Sequence, residues 1–190
     1  MKFTGIISWL GALLVAAAIS TTANAIPAGT CVGTYGGVVN SGSCYFSDTT
    51  LRTWSAHEAA AQTMDTSFHI TSVLSDAEAN YLRTLIPSVS FWIGLNDIAS
   101  EGTFVWTDGS PLSYTKWSSG EPNNCCAGED VVHFLTNDIR WNDHNTSHTL
   151  GAIYKAAIAA GAVPEPASLI LFSLGLLGLG GARRRNKQAA

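Results

Sequence analysis

The chain predicts an α+β domain, and three features predict it: two helical patterns early, short β-rich segments after them, and long polar connections between those segments. Thr53 stands before WSAHEAAAQTM, an Ala-rich run with Trp54 on its apolar face, which predicts a helix over about Trp54–Gln62. Ser75-Asp76-Ala77-Glu78 has the S-x-x-E form of a capping box and opens AEANYLRTLI, whose period places Ala77, Tyr81, Leu82 and Leu85 on one face. After Pro87 the pattern shortens. SFWIGL, TFVWT, DVVHFL and GAIYKA are rich in Val, Ile, Phe, Trp and Tyr and are bounded by Gly, Asn, Asp and Ser, which reads as strands. The stretch from Asn96 to Asn145 is polar and glycine-rich, and connections of that length in a compact domain carry function or need something to hold them.

The two ends belong to export rather than to the fold. Residues 1–25 have a basic start at Lys2, an apolar run Ile6–Ile19 and the A-x-A site Ala23-Asn24-Ala25, the layout of a secretory signal peptide. Export makes disulfides permissible for the four cysteines. Near the other end, Ala167–Ala182 is uncharged and Arg183-Arg184-Arg185 follows at once. Sixteen helical residues rise only about 24 Å against a hydrocarbon core of roughly 30 Å, a marginal span with a positive stop. Val163-Pro164-Glu165-Pro166, the apolar stretch and the arginine cluster together resemble the PEP-CTERM sorting signal of Gram-negative bacteria. That resemblance implies handling by an exosortase, transient anchoring by the C-terminal segment and delivery to the cell envelope or extracellular matrix. A plain membrane anchor is the alternative. The expected organisation is a leader over 1–25, a domain over 26–158, and a linker with sorting signal over 159–190.

Charge narrows the function. Between Ile26 and Glu165 there are five Lys and Arg against fourteen Asp and Glu, a net of −9, which the basic tail masks in the whole-chain value of −4. An acidic exported domain is a poor match for nucleic acid and suits hard cations. No G-x-S-x-G, no Cys–His pairing at a recognisable spacing and no phosphate-binding Gly loop occurs, so an enzyme is not expected. His144 and His148 are four apart, which on a helix would make half a zinc site, but they flank the loop sequence Asn145-Thr146-Ser147. His133 lies in an apolar strand pattern and reads as a packed residue.

Oxygen ligands concentrate in GEPNNCCAGEDVVHF, residues 120–134, and in RWNDH, residues 140–144. Calcium takes 6–8 oxygens from carboxylates, amide and backbone carbonyls and water. Glu121, Asn123 and Glu129 with Asn142 and Asp143 could supply such a set, although Asp, Asn, Glu and Gly are also the ordinary residues of a solvated loop.

Order and spacing carry a second resemblance. Trp92-Ile93-Gly94-Leu95, Glu121-Pro122-Asn123, Glu129-Asp130 and Trp141-Asn142-Asp143, with Trp106, Gly109 and Trp117 between, resemble the C-type lectin domain across about Cys31 to Lys155. The resemblance implies a C-type lectin-like fold with two helices, small antiparallel sheets and a long calcium-binding loop region. It implies Ca²⁺ held by Glu121, Asn123, Glu129, Asn142 and Asp143, with two vicinal sugar hydroxyls completing the metal shell and bonding the same side chains. The EPN order is associated with mannose-type sugars, and Pro122 matches a cis-proline of the family. Asp97, Glu101, Glu129 and Asp130 match an auxiliary calcium site in which Asn124 stands where an Asp is usual. Carbohydrate or polysaccharide is the implied partner. A non-carbohydrate interaction or structural module that retains calcium as scaffold is the alternative.

The chain also departs from that family. Ala61, Val131, Thr146 and Tyr154 occupy the positions of its two usual disulfides, each bridge typically contributing about 2–4 kcal/mol. Cys31 and Cys44 match the N-terminal hairpin bridge of its long-form members. Cys125-Cys126 are adjacent, about 3.8 Å apart at Cα and so below the usual disulfide range, which makes a direct bridge strained. A redox switch, intermolecular cross-linking and a local bridge that stiffens the loop are the three readings of that pair.

Overall fold

The computed structural model describes residues 25–160 apart from Ala127. The expected leader up to Asn24 and the sorting segment from 161 onward lie outside the described residues. Among the described residues no helix is long and apolar enough to cross a membrane.

The elements in chain order are β1 (Ala25–Ile26), α1 (Ala28–Gly33), β2 (Val38–Asn40), β3 (Ser43–Arg52), α2 (Trp54–Met64), β4 (His69–Ile70), α3 (Asp76–Leu85), β5 (Phe91–Asn96), β6 (Val105–Trp106), β7 (Val131–Phe134), β8 (Trp141–His144) and β9 (Leu150–Ile158). One sheet runs β2-β3-β9-β5-β7-β8, with β1 and β4 on β9 and β6 on β5. The hub is β9, parallel to β1 and β5 and antiparallel to β3 and β4, so the two ends of the domain are stitched to one strand. Segregated helices and a mainly antiparallel sheet make this the expected α+β architecture.

Both expected helices form, and their caps explain where they start. The Thr53 side chain accepts from the Ala56 N–H, and α2 then runs two residues past the expected Gln62. Ser75 accepts from the Glu78 N–H, as a capping box requires. The return bond goes one residue further back: Glu78 Oε2 accepts from the Leu74 N–H at 2.8 Å, leaving Oε1 free for Tyr45 O–H and Lys155 Nζ. The buried face of α3 carries Ala79 and Leu82, with Tyr81 and Leu85 packed beside them, whereas Ala77 is exposed. The first turn points Ala77 outward because Ser75 and Glu78 fix the entry of the helix against β3 and β9.

The core has two clusters. One packs α3 on Phe91, Ile93, Leu95, Val132, Phe134 and Trp141, and the other packs α2 on Phe68, Ile70, Trp92, Ala152 and Tyr154. Gly94 is required where the two meet: a Cβ there would lie 2.3 Å from the Ile70 carbonyl oxygen. At Tyr154 a polar cross-link occupies a position where the resemblance places a cysteine. The Tyr154 O–H sits 2.8 Å from His57 Nδ1 and 3.1 Å from Asp48 Oδ2, and Arg52 is ion-paired with the same Asp48 oxygen. His57 is fully buried, and its Nε2 faces the Leu150 and Thr50 carbonyls at 2.8 and 3.0 Å, so Nε2 carries the ring proton.

Candidate functional site

The candidate site lies where the ends of β5, β7 and β8 meet the long connection from Thr107 to Asp130. Antiparallel register places Asp143 opposite Val132 and Asn142 opposite His133. Because successive side chains leave opposite faces of a strand, the Asp143 carboxylate meets the Asn123 and Asn124 N–H groups while the Asn142 amide lies beside His133. The connection is anchored beneath by aromatic packing. Trp141 has Trp106, Tyr114 and Trp117 around it with centroids 5.6–5.7 Å away, and the Trp141 N–H donates to the Lys116 carbonyl while its own carbonyl accepts from the Ser118 N–H. Glu121 follows at once, its N–H on the Ser118 carbonyl at 3.1 Å. The Glu121–Pro122 bond is cis, as the resemblance implies.

The structure brings Glu121, Asn123, Glu129 and Asp143 together, while the Asn142 side chain faces the Asp143 carbonyl and His133. Asp143 and Glu129 are buried (1% and 6% exposed), while Glu121 and Asn142 are half-buried and Asn123 is at the surface. The Asn123 N–H donates to both Asp143 oxygens (3.2 and 3.1 Å), and the Asn124 N–H donates to Oδ2 at 2.9 Å. The Cys125 N–H is shared between Asn123 Oδ1 at 2.8 Å and Glu129 Oε2 at 3.1 Å. Asn142 Nδ2 donates to the Asp143 carbonyl and lies 3.5 Å from His133 Nε2. The Glu121 carboxyl is pushed above its ordinary pKa by burial, by a hydrogen bond with Asp143 and by the charges of Asp143 and Glu129. Its Oε2 is buried with no hydrogen-bond partner.

The second group converges beside it. The Asp97 N–H donates to the Asp130 carbonyl at 3.1 Å, Asp97 Oδ2 accepts from the Gly102 N–H at 2.7 Å, and its buried Oδ1 has no partner. The exposed Glu101 carboxyl is pushed upward by desolvation and by Asp97 and Asp130, against a lowering bond from Asn124. Asn124 also accepts the Glu129 N–H at 2.8 Å, joining the two groups.

Among the described residues, no three His, Cys, Asp or Glu side chains close into a ready-made cage for a metal. The donor set is nevertheless the kind that takes an oxygen-seeking cation: mutually repelling carboxylates, two buried carboxylate oxygens without partners, and amide oxygens alongside. An unpartnered buried carboxylate is costly unless it meets positive charge. No lysine or arginine side chain among the described residues is hydrogen-bonded or ion-paired to these carboxylates.

Cys31 and Cys44 are joined, tying α1 to β3. Cys125 and Cys126 are exposed free thiols with sulfurs 2.6 Å apart, so the local bridge is not formed. The Cys126 sulfur, desolvation and Glu129 together push the Cys125 thiol up to about 12. His133, His144 and His148 gather around Trp92, the last two stacked 4.3 Å apart, a cluster that strand spacing alone did not reveal. Burial holds His133 down at about 4.

Comparison with known proteins decides the family. The Lectin C-type domain matches residues 50–153. The chain belongs to the C-type lectin domain family. The PEP-CTERM protein-sorting motif matches residues 162–185 and points to export and exosortase processing. An α-N-acetylgalactosamine-specific lectin of Patiria pectinifera is 41% identical over 96 residues, 46% of this chain and 56% of that protein. Lectin BRA-3 of Megabalanus rosa is 31% identical over 148 residues, 77% of this chain and 88% of that protein. Among solved structures, the cow carbohydrate-recognition domain of CD23, crystallised with a GlcNAc2Man3 oligosaccharide, superposes with a TM-score of 0.62 at 27% identity over 72% of this chain and 99% of that one. For several relatives the chain spans only part of the protein, 29% in one case.

Proposed function

We propose that this C-type lectin domain binds carbohydrate in a calcium-dependent way, with mannose-type sugars or an extracellular polysaccharide as ligand, on an exported bacterial cell-envelope protein. The observation that carries the reading is the buried, unpartnered Glu121 carboxylate oxygen, crowded by Asp143 and Glu129. Glu121, Asn123, Glu129, Asn142 and Asp143 would hold Ca²⁺, and Asp97, Glu101 and Asp130 with Glu129 would hold a second ion. Bound calcium would supply the positive charge that draws two vicinal hydroxyls onto the rim. The side chains do the rest: carboxylates accept hydroxyl protons and the amide N–H groups of Asn123 and Asn142 donate to hydroxyl oxygens. Exchanging acid and amide across that rim changes which hydroxyl is satisfied, and this is the basis for expecting the EPN order to select equatorial pairs.

Asn123 is at the surface, so a single site grips one sugar weakly. Many copies on an envelope, or many sugars on one polymer, raise the effective strength. Sorting through the C-terminal segment, with transient anchoring before processing, supplies such a surface. The test is Glu121→Gln. It keeps the shape, removes one charge and is expected to weaken calcium binding by tenfold or more, on the order of 1.4 kcal/mol. Unchanged calcium affinity in that variant contradicts the assignment.

A further inference from the structure

We infer that Cys125 and Cys126 form a thiol–disulfide exchange site that gates the calcium and sugar rim, closing to a vicinal disulfide under a disulfide oxidant. The inference rests on the proposed function. Three observations support it. Both thiols are exposed, so a reagent reaches them. Their sulfurs lie 2.6 Å apart, so once one has been oxidised by a reagent the other is within reach of it. The Cys125 N–H spans the two halves of the rim, bonding Asn123 Oδ1 and Glu129 Oε2.

Cys126 loses its proton to water and its sulfur attacks the oxidant R–S–S–R, forming a mixed disulfide and expelling one thiolate, which takes up a proton. Cys125 then loses its proton and attacks the Cys126 sulfur, expelling the second thiolate. Two thiols become one disulfide and the oxidant becomes two thiols. The ring so closed contains the 125–126 peptide, whose Cα atoms, about 3.8 Å apart, are closer than the usual disulfide allows. The backbone must therefore turn, although Cys126 already sits at φ 58° and Asn124 at φ 47°, a left-handed path with little slack. Turning that peptide resets the torsions on both sides of the Cys125 Cα, so the preceding peptide, which carries the Cys125 N–H, shifts away from Asn123 and Glu129, and both side chains lose the bond that aims them at the rim. A strained ring is also readily reopened by thiols, as a reversible gate needs.

The experiment treats the purified full chain with oxidised glutathione and follows the intact mass. Ring closure removes two hydrogens, whereas mixed disulfides add glutathione. Amide exchange at Cys125 is then measured in metal-free protein, and calcium is titrated into reduced, oxidised and Cys126→Ser protein. The expected result is ring closure, Cys125 amide exchange at least about tenfold faster, and calcium affinity about tenfold weaker, with Cys126→Ser unable to close the ring. Glutathione adducts without ring closure overturn the proposal. So does a closed ring with unchanged Cys125 exchange, or with calcium affinity equal to that of the reduced protein. If the reduced protein and Cys126→Ser both fail to bind calcium while the Cys125 amide still responds to closure, the thiol site stands as a loop modification. In that case the proposed function and the gating of the rim both fall.

Discussion

Removing one hydroxyl at Tyr154 should cost this domain a measurable share of its stability. In Tyr154→Phe the ring still fills its place against Phe46 and His57, but the single hydroxyl proton shared between His57 Nδ1 and Asp48 Oδ2 is lost, leaving a buried acceptor short of its partner. A buried acceptor left without a partner costs roughly 1–3 kcal/mol, so a loss of about 2 kcal/mol is expected, or about 4–8 °C in Tm. Asp48 carries an independent reading of the same network. Burial alone raises its pKa, yet bonds from Thr50, Arg52 and Tyr154 outweigh that and bring it from 3.8 to about 2. Its folded pKa is depressed, so its contribution is present above the unfolded value near 3.8 and lost as pH falls from about 4 towards 2. Spread over that window it amounts to about 2 kcal/mol. Urea denaturation of wild type, Tyr154→Phe, Asp48→Asn and the double variant at pH 7 and pH 3 measures the coupling directly. A Tyr154→Phe loss under about 0.5 kcal/mol, or strict additivity with Asp48→Asn, refutes the idea that this polar cross-link supports the α2–β9 seam.

Other perturbations test other parts of the structure. Gly94→Ala places a Cβ 2.3 Å from a backbone oxygen that cannot retreat without moving β4, so urea denaturation is expected to show a loss of about 2–3 kcal/mol. Arg83→Leu leaves the Ile86, Val89, Leu135 and Asp138 carbonyls without their shared donor and removes a cation stacked over Phe91 at 5.0 Å. A drop of about 2–3 kcal/mol is expected, visible as a lower thermal midpoint. Asn142→Ala keeps the β7–β8 pairing, so circular dichroism should be unchanged while calcium-dependent sugar retention on a mannan column is lost.

The helices were legible because their signals are local: Thr53 and Ser75 each cap a run with helical period, and the structure begins both helices there. The strands SFWIGL, DVVHFL and GAIYKA were legible from β-branched and aromatic content. The ten-residue strand Ser43–Arg52 was not, because SCYFSDTTLR lacks a clean alternation and is held as a strand by pairing with β9, about a hundred residues away in sequence. RWNDH read as a ligand-bearing loop, whereas Trp141–His144 is a strand that holds Asp143 against the Asn123 and Asn124 N–H groups. Ala77 was misplaced because a helical period fixes relative positions on a face but leaves the rotation of the helix to its cap and neighbours. The candidate site residues were found through the order of short motifs, and the unpartnered oxygens on Glu121 and Asp97 required coordinates. His57 gave no sequence signal beyond its place in an Ala-rich helix, since its partners lie on β3 and β9.

The most direct test is calorimetric titration of calcium into the reduced protein, followed by methyl-mannoside with and without the ion. Calcium is expected to bind at neutral pH and to bind more weakly as the carboxylates protonate, and sugar is expected to bind only when calcium is present. Sugar binding that survives a chelator, or protein that takes up no calcium at all, contradicts the proposed function.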